Sequence, residues 1–257
     1  MSLFYKELDE KRNSLIDSLQ KLENNDDEFE AFDLLLSMSA YYATPIRDHI
    51  SFTRKFDAIK KEKTSLDTSY SLSIIKKMIG AEFKKDDKQD IRFYTPKVRI
   101  NRFDIPLHLA SSSARCLVDL YFYLKHLAQH GDLLIIDEPE SHLTLRNQRL
   151  MAKLLASMVN IGIKVFITTH SDFLVKELNN FILLNNDFKE KNKWLKDNKS
   201  MYSQADSLDY KKVNVYQVVN GKVDQLITSR YGIEVPYFDN EITEIFKVAN
   251  DLEYFID

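Results

Sequence analysis

Glycine is scarce, at five residues in 257, and loops that cradle phosphate need glycine so that backbone N–H groups can approach a ligand closely. Few such loops can exist along this chain. No GxxxxGK[ST] run occurs anywhere: Gly221-Lys222 is followed by Val223, and Tyr216 stands where the first glycine would be. Cysteine occurs once, as Cys116, which excludes an internal disulfide. Residues 1–8 have neither the basic start nor the apolar stretch of a secretory signal, so a reducing cytoplasm is the expected compartment. No apolar run approaches the roughly 18 residues of a transmembrane helix, and the chain is expected to have no membrane role. An excess of positive charge is also missing: 36 Lys plus Arg oppose 39 Asp plus Glu, a net charge of -3. Nothing global then attracts a nucleic acid or an anionic membrane, and any such contact must be a local patch. What is present is ordinary for a globular chain, 44% hydrophobic and 29% charged, and is long enough for one large domain or two small ones.

Read for organisation, residues 3–22 place Phe4, Leu8, Leu15, Ile16, Leu19 and Leu22 mostly at three- and four-residue steps among charges, which predicts an amphipathic helix. Further helices are expected over 28–42, 47–61 and 71–83, so 1–90 reads as a helical, arm-like region with a boundary at the charged run 84–89. Ile91, Phe93, Tyr94, Val98, Ile100 and Phe103 fit short strands between turn signals at Pro96 and Pro106. A helix over 114–129 stopping before Gly131, a strand at 133–136, a helix over 146–160, a strand at 165–167 and a helix over 171–179 follow. Strands apolar on both faces and alternating with helices predict an α/β fold, with largely parallel buried strands flanked by helices on both sides. The expected domains are therefore 1–90, an α/β lobe at 91–185, a solvated polar insertion at 186–212, and 213–257, a hairpin turning at Asn220-Gly221 and a terminal helix.

The chemistry-bearing residues cluster in the α/β lobe. LLIIDE delivers Asp137 and Glu138 at the C-terminal end of an apolar strand, where parallel sheets place ligands, in the pattern of a Walker B motif. The first carboxylate suits magnesium held through water, and the second suits a general base accepting the proton of a water that attacks a γ-phosphate. His170 ends the next strand in TTHS, and the run Ser111, Ser112, Ser113 opens the helix upstream, where hydroxyls and unpaired N–H groups favour an anion.

In this order the motifs LASSSARCL, GDLLIIDEPESHL and VFITTHSDFLVKELNN, within residues 106–184, resemble the ABC-like, AAA-annotated bacterial ATPases akin to OLD, RecF and SMC-type proteins. The resemblance implies ATP and Mg2+ as ligands. It makes Asp137 the metal residue, Glu138 the catalytic base, His170 the switch histidine, and Glu140, Ser141, His142 and Leu143 the D-loop. Ser111, Ser112 and Ser113 become signature residues that meet, in trans, the nucleotide held by another subunit. Two positions depart from the family pattern: serines stand where signature loops usually carry glycine, and Thr144 stands where many ABC proteins have aspartate. The missing phosphate loop makes this chain resemble a C-terminal lobe, from a split gene or a shortened chain, that binds ATP poorly alone. Its expected partner is a second copy in an ATP-dependent dimer or a chain carrying Walker A, with an effector protein or nucleic acid downstream. A non-catalytic interaction module retaining the half-fold is the alternative. Outside this set, His126 and His130 read as a helix-surface pair, Cys116 as a core thiol, and Trp194 as a partly buried side chain under the polar loop.

Overall fold

The computed structural model describes residues 62–85, 91–94 and 104–256. The helices expected within 3–61 and the strand residues Val98, Ile100 and Phe103 lie outside them. The chain divides into two compact units, Met1–Glu62 and Lys63–Asp257, and every element described below belongs to the second.

Helix α1, Ser69–Ile79, ends because Gly80 takes the left-handed backbone at φ 67° and returns its N–H to the Lys76 carbonyl. It therefore stops short of residue 83, and Phe83 instead enters strand β1, Glu82–Lys85, where it is buried beside Tyr121 and Phe122. Strands β1, β2 (Ile91–Tyr94) and β3 (Asp104–Pro106) form one antiparallel sheet. The expected boundary near residue 90 thus falls between paired strands, Glu82 opposite Tyr94 and Lys85 opposite Ile91. The compact unit begins at Lys63 instead.

Helix α2, Ser112–Phe122, buries Ala114, Leu117, Val118, Tyr121 and Phe122 at three- and four-residue steps, then loosens into a π-helical turn over Tyr123–Leu127. Cys116 lies off that stripe and is exposed, which corrects its reading as a core thiol. His126 stacks on Phe122 at 6.1 Å, whereas His130 lies past the helix, against Gly162. They are not a pair on one helix face.

The central unit is β4 (Leu133–Asp137), α3 (Leu145–Asn160), β5 (Lys164–Thr168) and α4 (Asp172–Asn185). The two strands are parallel, with Leu133 opposite Lys164 and Asp137 opposite Thr168. Helix α3 is buried from Leu150 to Met158 and forms the middle of the core. The sequence pattern predicts cover on both faces of these strands, and the structure differs: Leu133 (63%), Ile135 (68%) and Phe166 (55%) stand exposed on one face. Their alternation is that of a strand with one face inward and one outward. That outer, apolar face also carries Asp137 at its end.

The segment 186–212 is only partly the solvated insertion its charges suggest. Helix α5, Lys191–Asp197, has no buried residue, and Trp194 packs edge-on against Phe188 and is tilted on Tyr202. Downstream, Asp206 is fully buried and Leu208 nearly so. Asp206 receives Lys153 Nζ at 2.9 Å and the Tyr70 hydroxyl at 2.5 Å, joining α3 and α1 to this segment. A buried carboxylate is tolerated there because both of its oxygens have partners, Oδ1 the Tyr70 hydroxyl and Oδ2 Lys153 and Ser203.

Strands β6 (Val215–Val219) and β7 (Lys222–Leu226) form the expected hairpin, with Asn220 and Gly221 both at positive φ. A small pair follows, β8 (Thr228–Ser229) and β9 (Gly232–Ile233). Asn179 of α4 clamps it by donating to the Ile233 carbonyl at 3.0 Å and accepting its N–H at 2.7 Å. Gly232 is required here: φ is 124°, and a Cβ would stand 2.8 Å from the Asn179 side chain. Helix α6, Pro236–Tyr254, closes the described chain. Among the described residues no helix is long and apolar enough to cross a membrane.

Candidate active site

The site grows from the register of β4 on β5. Pairing Asp137 with Thr168 puts the acidic end of one strand beside the hydroxyl end of the other. The Thr168 hydroxyl donates a short hydrogen bond to Asp137 Oδ1. The next residue, Glu138, leaves the strand at φ 45°, a left-handed conformation that costs a non-glycine residue roughly 1 kcal/mol or more. It is held there because its N–H donates to both the carbonyl and Oγ1 of Thr168, each at 3.1 Å. The turn carries the Glu138 side chain away from the strand axis. Ser141 Oγ donates to its Oε2 at 3.1 Å, and His170 Nε2 lies 3.6 Å from its Oε1. His170 is 86% and Glu138 47% exposed at the side chain, so both can meet a ligand.

The residues expected to be a D-loop form tight turns: Ser141 N–H bonds the Glu138 carbonyl, Leu143 N–H bonds the Glu140 carbonyl, and His142 adopts φ 62°. Glu140 serves a purpose that its place in a loop motif does not announce. Its Oε1 accepts the Thr169 hydroxyl at 2.8 Å and the His170 N–H at 2.7 Å, so this carboxylate holds the backbone of His170. Its Oε2 is buried with no hydrogen-bond partner among the described residues. Leu143 is buried, and Thr144, where an aspartate was the comparison, caps α3 by accepting the Asn147 N–H at 3.3 Å. Ser171 continues the chain of contacts, capping α4 and donating to Gln148 Oε1 at 2.7 Å.

The three serines divide their work. Ser111 caps α2, accepting the Ala114 N–H at 3.3 Å, which leaves its own hydroxyl hydrogen for another acceptor. Ser112 accepts from Arg115 at 3.3 Å. Ser113 donates to the His142 carbonyl at 2.6 Å, so its hydrogen is already engaged and the start of α2 is tied to the turn at His142. No hydrogen bond links any of the three to Asp137, Glu138 or His170 among the described residues. Sequence reasoning missed Thr168 and Thr169 as parts of the site. The available signal was a pair of hydroxyls at the strand end opposite DE.

Among the described residues no group of three or more His, Cys, Asp and Glu gathers into a self-sufficient metal site. Asp137 offers one carboxylate, exposed at the strand end. That donor set fits magnesium, which keeps several waters and binds through one or two carboxylates plus substrate phosphates. It does not fit a structural zinc site, which needs four protein ligands.

A model of the AAA ATPase domain family matches residues 4–175, a span that includes the serine run, Asp137, Glu138, residues 140–143 and His170. Among solved structures, one described in work on ATP-driven dimerization and DNA-stimulated activation of SMC ATPases is similar at 13% identity, over 77% of this chain and 96% of that one, with a TM-score of 0.38. A score so low adds nothing to the fold described above. No curated protein matches.

Proposed function

The chain belongs to the AAA ATPase domain family, and on that premise we propose that it is the catalytic lobe of an ABC-like ATPase that hydrolyses ATP at a subunit interface, with the phosphate loop supplied by another polypeptide segment. One observation carries the reading: Glu138 is held at φ 45° by Thr168 and stands 3.6 Å from the exposed ring of His170. A strand-end carboxylate in a left-handed conformation, fixed by two acceptors on the neighbouring strand, is a poor structural choice and a good catalytic one.

In this reading Glu138 accepts the proton of the attacking water, with Ser141 Oγ steadying its other oxygen. The His170 ring donates a hydrogen bond toward the γ-phosphate oxygens, and Glu140 fixes where that ring begins. Asp137 supplies the protein's carboxylate to magnesium, which neutralises phosphate charge when bound. The Ser111 hydroxyl and the first N–H groups of α2 form an anion site toward a nucleotide bound by a second copy. Further strands bearing the phosphate loop would pair at the open edges of the two-stranded β4–β5 sheet, and a helix of the completed fold would cover the apolar outer face of Leu133, Ile135 and Phe166.

The test adds a GxxxxGK[ST]-bearing segment, in cis or in trans, and compares native chain with Glu138→Gln. The native assembly is expected to turn over ATP. Glu138→Gln is expected to bind ATP equally well and to lose turnover by about a hundredfold or more, since an amide cannot accept the water's proton. Unchanged turnover in the variant would remove Glu138 as the base.

A further inference from the structure

Helix α6 has no buried residue along its 19-residue length, yet it is among the more apolar surfaces of the protein. Phe238, Ile242, Ile245, Ala249 and Leu252 recur in alternating steps of four and three, the average spacing of about 3.5 residues that keeps one seam of a helix facing a partner helix. Phe246 and Val248 widen the seam on either side, and Ile256 continues it just past the helix end. Phe238 and Ile242 are half-buried where the helix leaves the fold, and everything from residue 243 to 256 is exposed. A solitary exposed leucine would be ordinary. A continuous seam bearing Ile245, Phe246, Val248 and Leu252 exposed is an interaction surface.

The charges decide what covers it. At 100° per residue Glu241, Glu253 and Asp239 fall along the margins of the seam, with Glu244 and Asp251 beyond them, whereas Lys247, the helix's one cation, falls on the back. No ion pair engages these acids among the described residues. Two copies of α6 would bring identical acidic margins into one interface with no cation to offset them. An anionic lipid surface would be repelled for the same reason.

We infer that α6 is a docking helix for a different protein, whose recognition element is an amphipathic helix with an apolar seam flanked by lysine or arginine. Helix-on-helix packing supplies the affinity, and the acidic margins select the partner. The inference rests on α6 alone and stands or falls separately from the ATPase reading.

The experiment titrates the full 257-residue chain into two labelled synthetic helices that share one Leu/Ile seam, one flanked by lysine and the other by glutamate, and follows fluorescence anisotropy. The lysine helix is expected to bind about tenfold or more tightly, with the advantage shrinking as salt rises from about 50 mM to about 500 mM. Ile245→Asp with Leu252→Asp is expected to abolish binding. Glu241→Lys with Glu253→Lys, a surface change that leaves the seam intact, is expected to reverse the preference between the two helices. Equal affinities, no binding of either helix, or lysine-helix binding that survives the seam variant would overturn the inference. A concentration-dependent dimer in sedimentation that disappears in the seam variant would overturn it in favour of a second copy.

Discussion

Glu140 Oε1 receives the backbone N–H of His170 at 2.7 Å, so the loop after one strand sets the position of the histidine after the other. Removing that acceptor leaves the His170 N–H and the Thr169 hydroxyl without their partner. Glu140→Ala is expected to cost about 1–3 kcal/mol in urea unfolding and to speed amide exchange at His170. Glu140→Gln keeps an oxygen for both donors, and the Oε2 it alters has no partner to lose. It should stay within about 1 kcal/mol of the native chain. If Gln and Ala destabilise alike, the negative charge, not the hydrogen bonds, is what Glu140 contributes.

The buried Asp206 gives a second prediction. Its partners are Lys153 at 2.9 Å, the Tyr70 hydroxyl, and the N–H of Ser203 at 2.6 Å. Asp206→Ala leaves Lys153 nearly buried with no counter-charge, its Nζ held only by the Met201 carbonyl at 2.7 Å, and is expected to cost about 3–5 kcal/mol in denaturant unfolding. Adding Lys153→Met should recover a substantial part of that loss, because the uncompensated charge goes with it. No recovery would mean that the backbone and tyrosine contacts dominate.

Alkaline pH tests the same cluster through Tyr70. Burial, and then its hydrogen bond to Asp206, push the Tyr70 hydroxyl well above the ordinary tyrosine range. Burial and the bond to Asp132 do the same for Tyr123. Both groups are raised in the folded state, so their contribution is fully present below the unfolded value of about 10 and is lost as pH climbs through and beyond it. Unfolding free energy measured by urea at a series of pH values should therefore fall above about pH 10. Tyr70→Phe should flatten part of that fall. An unchanged slope in the variant would show that Tyr70 ionises freely.

Ser111 supplies the prediction about geometry between subunits. Its hydroxyl caps α2 while keeping a hydrogen to donate, and the reading above gives that hydrogen to a nucleotide on the other copy. Ser111→Arg places a bulky cation there and should block ATP-driven dimerisation in the completed protein, with nucleotide binding at the phosphate-loop side intact. Mixing it with a phosphate-loop variant should restore about one working site per mixed dimer. Light scattering and turnover decide it: no recovery at any ratio, with both variants folded, leaves Ser111 as a helix cap.

Ser113 differs from Ser111 because its hydrogen already reaches the His142 carbonyl at 2.6 Å. Ser113→Ala should loosen the turns after Glu138 within one chain, raising amide exchange around residues 140–144. Loss of nucleotide-driven dimerisation with no change in exchange at residues 140–144 would give Ser113 the role proposed for Ser111.

What the sequence determined by itself is what a few neighbouring residues encode. The helix expected to reach residue 83 stops at Gly80 and the expected core thiol Cys116 is exposed, but Asn220-Gly221 turns the hairpin and an apolar run ending in Asp137-Glu138 is a strand with acids at its tip. These follow from backbone preference and side-chain periodicity, which act over a turn of helix or a pair of strand residues. Contacts across about thirty residues were decided by tertiary structure, because they exist only once β4 and β5 lie in register. That register turns Glu138 left-handed on Thr168, hands the His170 N–H to Glu140, and leaves Leu133 and Ile135 on an open face despite their apolar character. Asp206 makes the same point from the other side. Its sequence neighbourhood is polar and charged, and it is buried only because Lys153 and Tyr70, from two distant helices, arrive with the hydrogen bonds that make its burial affordable.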